Sequence, residues 1–234
     1  ESLEVIAEAV ACKQTGQARR VVVAGCLVNR DGQALLSSVE GIDALVSVND
    51  RDAIVQAVQA DDPRALLSAA GPAGDDRGRF RLTAPHTAFL RIAEGCDHRC
   101  TFCTIPDIRG PFRSKPLERV LAEARELAES GAVELNIIAQ DTTSYGMDLP
   151  DKPTLAMLLT ELNKLEGVAW IRLMYAYPNN FTDELIDVMV KSDRIVEYVD
   201  MPLQHIADGV LKRMGRRITR AEIETLLGKL RDAM

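Results

Sequence analysis

Three of the five cysteines, Cys96, Cys100 and Cys103, fall in one short stretch, Glu94-Gly-Cys-Asp-His-Arg-Cys-Thr-Phe-Cys103. The spacing is C-x3-C-x2-C. Spacers this short let three thiolates meet on one iron–sulfur cubane without closing a long loop, each thiolate taking one iron. A cubane has four irons, so three protein ligands leave one iron open, and an open iron can bind and activate a substrate. Zinc is the competing reading, with His98 as fourth ligand, but zinc sites favour two separated ligand pairs and His98 sits inside the loop. A purely electron-transferring cluster needs a fourth cysteine, which Cys26 would have to supply from another domain. Three ordinary core cysteines this close together would fill a core poorly. The open cubane is the reading that the spacing favours.

The rest of the chain must position that loop. Its 234 residues are 47% hydrophobic and 27% charged, enough apolar material for one sizeable core or somewhat more. No apolar run has the length of a membrane span and the start does not read as a signal peptide, so a soluble, cytoplasmic protein without a membrane partner is expected. A formal net charge of −7 argues against stable nucleic-acid binding through bulk electrostatics. An odd cysteine count, with three clustered, points to metal or redox chemistry rather than a secreted disulfide framework. The chain opens on Glu1 inside helical periodicity, which predicts that it starts within a longer protein.

Residues 1–60 read as a small α/β piece. Ile6 and Val10 predict a helix, Arg20 to Gly25 a buried strand ending at Cys26, Ile42 to Val48 a second strand, and Asp52 to Ala60 a helix. Residues 61–84 are turn-rich and charged and read as a linker. From 85 to 234, strands and helices alternate. Thr87–Ala93 is the first strand. A helix follows Pro116, with Leu117, Val120, Leu121, Ala124 and Leu127 on one face and Gly131 at its end. Val133–Ala139 is the second strand. Thr154 caps a helix carrying Leu155, Leu158, Leu159 and Leu162, closed by Gly167. Ala169–Ala176 is the third strand, Thr182–Val190 a helix, Ile195–Leu203 the fourth strand, and Thr219-Arg-Ala-Glu222 a capping box opening the last helix.

Four βα units imply a parallel sheet with right-handed crossovers, hence an α/β fold and an open or partial barrel. Functional groups then gather at the C-terminal strand ends, where the cysteine loop, Gln140-Asp141-Thr142, Tyr175-Ala-Tyr177 and Gln204-His205 all fall. Cys26 follows a strand and a glycine at a similar switch, although a lone cysteine there is more often simply buried. Cys12 reads as helix packing.

An aromatic residue before the last cysteine completes a motif that resembles the signature of the radical S-adenosylmethionine (SAM) superfamily. Arg91-Ile-Ala-Glu-Gly-Cys-Asp-His-Arg-Cys-Thr-Phe-Cys103, Ile105-Pro-Asp-Ile-Arg-Gly110, Ala139-Gln-Asp-Thr-Thr-Ser-Tyr-Gly146 and Asp200-Met-Pro-Leu-Gln-His205 resemble more narrowly the methylthiotransferases that modify an aspartate of ribosomal protein S-twelve. Val23-Ala-Gly-Cys-Leu-Val-Asn-Arg30 looks like the third cysteine segment of that family's N-terminal domain.

The resemblance implies a good deal more. Cys96, Cys100 and Cys103 become ligands of a radical-generating 4Fe-4S cluster, and Cys26 one of three ligands of a second 4Fe-4S cluster in the full-length family. Phe102 is expected beside the adenine of S-adenosyl-L-methionine, with Gln140, Asp141 and Thr142 contacting that cofactor. Arg109, Arg113 and Lys115 form a basic stretch that either holds a carboxylate or is a solvated face. His205 and Tyr175 are expected on the same rim. The implied activity is methylthiolation of the aspartate β-carbon, with S-twelve as protein substrate and a reductant such as flavodoxin as partner. A radical barrel of this family has six βα units, so four would be a truncated core preceded by part of the N-terminal domain. A tRNA methylthiotransferase and a non-catalytic metal-binding module remain the alternatives.

Overall fold

Apolar runs of four or five residues separated by amphipathic helices can bury themselves only as a sheet covered by helices. The computed structural model describes residues 1–50, 53–59, 64–66 and 73–234, and these form two compact units, 1–71 with 104–110, and 72–103 with 111–234.

The first unit runs α1 (Ser2–Gln14), β1 (Val22–Gly25), α2 (Cys26–Asp31), α3 (Ala34–Ser38), β2 (Ala44–Ser47), α4 (Ala53–Gln59) and β3 (Arg64–Leu66). Its sheet is parallel in the order β1-β2-β3, with Val22 opposite Ala44 and Ala44 opposite Arg64. Every residue of central β2 is buried, as a strand covered on both faces must be. Ile6, Val28, Leu35, Ile42 and Leu45 pack one cluster, and Ala44, Val46, Ala53 and Ala57 another. The stretch expected as a linker over 61–84 therefore carries a strand, β3, whose backbone completes the sheet beside β2. Turn-forming composition marks where the chain bends, but it is silent on backbone pairing between the bends.

The second unit contains β4 (Thr87–Arg91), β5 (Ala93–Glu94), β6 (Arg113–Ser114), α6 (Leu117–Glu129), β7 (Glu134–Ile138), α7 (Leu155–Leu162), β8 (Trp170–Leu173), α8 (Asp183–Lys191), α9 (Asp208–Arg213) and α10 (Arg220–Ala233). Helix α5 (Ile105–Arg109), between β5 and β6 in sequence, belongs to the first unit, where it packs on α2. Strands β4, β7 and β8 pair in parallel in that order, with Phe89 opposite Asn136 and Asn136 opposite Arg172. The expected faces close the core: Val120, Leu121, Ala124 and Leu127 of α6, and Leu155, Leu158, Leu159 and Leu162 of α7, are all buried against the sheet. Thr154 and Thr182 accept the N–H groups of Met157 and Leu185 as helix caps, and Thr219–Glu222 forms the expected capping box. Gly167 lies five residues past the end of α7 rather than closing it.

The α/β fold and the parallel sheet agree with expectation; the fourth strand does not. Over Ile195–Leu203 the chain makes one isolated parallel bridge, Ile171 to Ile195, beside β8. Just past it the Tyr198 N–H turns back to the Val196 carbonyl at 2.7 Å, and Pro202 has no N–H to offer. A strand cannot continue through a three-residue turn. Among the described residues the sheet is an open arc, not a closed barrel.

Candidate functional site

Strand β4 delivers the chain through β5 into the cysteine loop. The Gly95 N–H donates to Gln140 Oε1 at 2.6 Å, which fastens the start of the loop to the end of β7. Cys96 follows as a buried residue, while Cys100 and Cys103 are partly exposed; all three are free thiols. A turn with Cys103 N–H on the Cys100 carbonyl, 3.1 Å, carries the last two. Burial pushes the Cys96 thiol up to about 11. The His98 N–H works against that shift, while the charges of Asp141, Cys100 and Cys103 add to it. Among the described residues, no three His, Cys, Asp or Glu side chains are already drawn together to hold a metal ion. The three thiols share one eight-residue loop.

Behind the loop sits a polar framework centred on Asp141, which is 1% exposed. One carboxylate oxygen accepts His98 Nε2 at 2.8 Å and the Ser144 hydroxyl at 2.6 Å. The other accepts the Thr143 N–H at 3.0 Å and its hydroxyl at 2.6 Å. Burial raises the Asp141 carboxyl, but donation from His98, Ser144 and Thr143 outweighs it and holds the group below the ordinary carboxylate range. The His98 ring stacks on Tyr177, centroids 3.8 Å apart, and the Arg216 guanidinium lies over the Tyr177 ring, 4.2 Å from its centroid. Cys96, His98, Asp141, Ser144, Met147 and Asp148 wall a cavity of about 340 Å3. A cavity of about 360 Å3 near Pro178 and α10 contains none of the thiols, so its size does not make it the site.

The anticipated residues divide. Cys96, Cys100, Cys103 and Phe102 share the loop, and Phe102 is exposed. Gln140 commits its carbonyl oxygen to Gly95, and Asp141 is the framework hub. Thr142 is fully buried, its hydroxyl donated to the Met174 carbonyl at 2.7 Å. Cys26 is exposed at the start of α2 in the first unit, with Arg109 Nη2 3.8 Å from its sulfur. Cys12 is also exposed and does not pack. His205 is exposed and accepts the Ala207 N–H on Nδ1, and Tyr175 donates its N–H to Asp200.

The basic stretch divides: Arg109 and Arg113 are half-buried, whereas Lys115 does not face solvent at all. Lys115 is wholly buried, with Nζ 2.8 Å from Asp76 and 2.6–2.7 Å from both oxygens of Glu123. Asp76 is in turn paired with Arg91, and Arg91 with Glu94. A buried ammonium survives only when paired in this way. Tyr145 donates its hydroxyl to the Lys115 carbonyl, and Gly146 cannot carry a side chain because a Cβ there would lie 1.7 Å from the Pro153 carbonyl oxygen. The Ser114–Lys115 backbone and the 141–146 loop are thereby packed as one piece. Sequence reading put Tyr177 at the strand ends with the loop but did not foresee its stacking on His98, and it missed Arg216, which no local pattern marks. His98 also carried a usable signal, as a polar residue inside the motif.

A family model described as the radical SAM superfamily matches residues 90–234. The ribosomal protein uS12 methylthiotransferase RimO of Geobacter sulfurreducens is 42% identical over 99% of this chain, and that of Elusimicrobium minutum 41% over 94%. These matches take in 53% and 51% of the relatives, so the chain spans about half their length. Among solved structures, the radical SAM methyltransferase TsrM of Kitasatospora setae, determined with tryptophan and a SAM analogue, superposes over 92% of this chain and 48% of its own, with TM-score 0.66 and 17% identity. The cobalamin-dependent SAM radical enzyme OxsB covers 97% of this chain and 37% of its own, with TM-score 0.62 and 12% identity. At such identities the structural likeness speaks for fold alone. The chain belongs to the radical SAM superfamily.

Proposed function

We propose that this chain is the cysteine-loop core of a radical SAM methylthiotransferase acting on an aspartate of ribosomal protein S-twelve. The observation that carries the reading is the set of three free thiols on one loop, within a chain more than 40% identical to uS12 methylthiotransferases over nearly its full length. The donor set fits a 4Fe-4S cluster. Three soft thiolates are present, no disulfide competes for them, and His98 is occupied by Asp141 and Tyr177 except at Nδ1. When bound with S-adenosyl-L-methionine, such a cluster supplies the electron for reductive cleavage and the hydrogen abstraction that opens the substrate carbon to sulfur.

The chain's own residues do the positioning. Cys96, Cys100 and Cys103 hold the cluster; Cys96, the most deeply buried, gives up its proton to do so. Gln140 fixes the entry of the loop through Gly95, and Phe102, exposed beside Cys103, offers a flat face to the adenine. Asp141 and Thr142 act behind the loop, Asp141 by orienting His98 and Thr142 by joining the end of β7 to that of β8. The first unit is then part of the N-terminal domain, with Cys26 as one ligand of a second cluster. The reductant is a flavodoxin-type protein and the setting is the cytoplasm.

The test is incubation of the anaerobically reconstituted chain with dithionite, S-adenosyl-L-methionine and purified S-twelve. The reading predicts 5′-deoxyadenosine by chromatography and, once the segments present in the longer relatives are supplied, a methylthio mass gain on one aspartate of S-twelve. A mass gain on tRNA adenosine instead would reassign the substrate. Bound metal with no cleavage in either form would reduce the chain to a metal-binding module.

A further inference from the structure

Arg216 is an expensive residue to have where it is. It is 7% exposed, among the described residues it faces no carboxylate within ion-pair distance, and its Nε has no hydrogen-bond partner. Its side chain meets the Tyr177 ring at 4.2 Å and the Pro202 carbonyl, which accepts Nη2 at 2.5 Å. Burying an uncompensated cation costs free energy and calls for an explanation. The one at hand is what lies on the far side of the ring. Tyr177 stacks on His98, and His98 lies between Cys96 and Cys100.

A second set of contacts reaches the loop from the same turn. Thr101 donates its N–H to the Met214 carbonyl at 3.0 Å and its hydroxyl to the Arg213 carbonyl at 3.1 Å. Gly215, at φ +70°, comes so close that a Cβ would stand 2.6 Å from the Arg99 carbonyl oxygen and 3.6 Å from the Cys100 Cα. The turn that ends α9 therefore grips the loop at Arg99 and Thr101 by backbone, while Arg216 grips it at His98 through the aromatic column. More than a hundred residues separate the partners in sequence.

We infer that the Arg213–Arg216 turn is a clamp for the cysteine loop, with Arg216 and Thr101 as positioning residues and the Arg216 cation balancing the negative charge that a thiolate-bound cluster brings. The inference rests on the reading of Cys96–Cys103 as a cluster loop. A cation held in a water-poor interior beside an anionic centre stabilises the form with the extra electron. Removing it shifts the cluster potential to more negative values. Loss of either grip frees Cys100 and Cys103 to move.

The experiment compares the whole chain with its Arg216→Met, Arg216→Lys and Thr101→Val variants, made and handled without oxygen. In the metal-free proteins, iodoacetamide labelling of each cysteine is followed by mass spectrometry, with Cys26 as the internal standard. After reconstitution with iron and sulfide, the cluster potential is measured by titration with dithionite. The expected result is labelling of Cys100 and Cys103 about three- to tenfold faster in Arg216→Met and Thr101→Val. The potential falls in Arg216→Met, is recovered in Arg216→Lys, and is unmoved in Thr101→Val, which removes no charge. Thr101 is exposed, so its variant leaves no core cavity and decides the matter should Arg216→Met fail to fold. Unchanged labelling in Thr101→Val, or equal potentials in Arg216→Met and the parent, overturns the clamp or its charge role respectively. A parent chain that takes up no four-iron cluster overturns instead the cluster reading, while the labelling contrast still judges the clamp.

Discussion

Cys26 and Cys96 both stand just past a strand and a glycine, Gly25 and Gly95, where α/β folds place their ligand sites, yet their surroundings differ. Cys26 is exposed at the mouth of a six-residue helix with one guanidinium near its sulfur. Cys96 is buried, two further thiols follow it on the same loop, and behind it lie Asp141 with four donated hydrogen bonds, a stacked histidine–tyrosine pair and a buried lysine network. Position in the fold alone does not make a site. The loop at Cys96 carries two further thiols and a framework behind them; the helix that Cys26 opens carries no second thiol.

That contrast can be broken at several points. The largest effect belongs to Cys100→Ala, which is expected to abolish iron retention at the loop and cleavage of S-adenosyl-L-methionine, whereas Cys26→Ala leaves the loop's iron in place. Iron content of the two reconstituted variants checks this, and equal losses would make the sites equivalent. Next is Lys115→Ala. Removing Lys115 takes from buried Glu123 the ammonium that both its oxygens hold, while Asp76 keeps Arg91, at a cost of about 3–5 kcal/mol in urea unfolding. A change under about 1 kcal/mol would mean that water already reaches the network.

The third contrast is in thiol reactivity. With the Cys96 thiol near 11, its thiolate fraction at neutral pH is about a hundredfold below that of an ordinary cysteine. In the metal-free chain Cys96 should label slowest and Cys26 readily, with the Cys96 rate still climbing as pH is raised toward 11. Early labelling of Cys96 would show that it is not buried in solution. The smallest effect is at Asp141. Its carboxyl lies below the ordinary value in the folded chain, so its contribution is present above about pH 4 and is lost as pH falls through the folded-state value. Asp141→Asn should cost about 1–3 kcal/mol at neutral pH, with the deficit shrinking in acid. A deficit that stays constant with pH would remove charge from the account of Asp141.

Local chemistry made part of this legible in advance. The capping side chains Thr154, Thr182 and Thr219 and the apolar faces of α6 and α7 are short-range patterns, and each stands in the structure where its spacing puts it. What escaped notice depends on distant partners. The Ile195–Leu203 stretch has the apolar content of a strand, but its ladder breaks where the Tyr198 N–H turns inward, with one bridge at Ile195 and a single bond from the Ala176 N–H to the Asp200 carbonyl. Lys115 looks like a surface residue until Asp76 and Glu123 close on it from either side in sequence. The His98, Tyr177 and Arg216 column is assembled from three separate segments, and nothing near any one of them announces the others.

The central claim is that the Cys96–Cys103 loop holds a four-iron cluster with one iron open to S-adenosyl-L-methionine. Electron paramagnetic resonance of the dithionite-reduced, reconstituted chain, recorded with and without that cofactor, tests it most directly. The account predicts a four-iron signal that shifts when S-adenosyl-L-methionine is added and that disappears in Cys100→Ala. A four-iron signal indifferent to the cofactor, or one that survives Cys100→Ala, would contradict it.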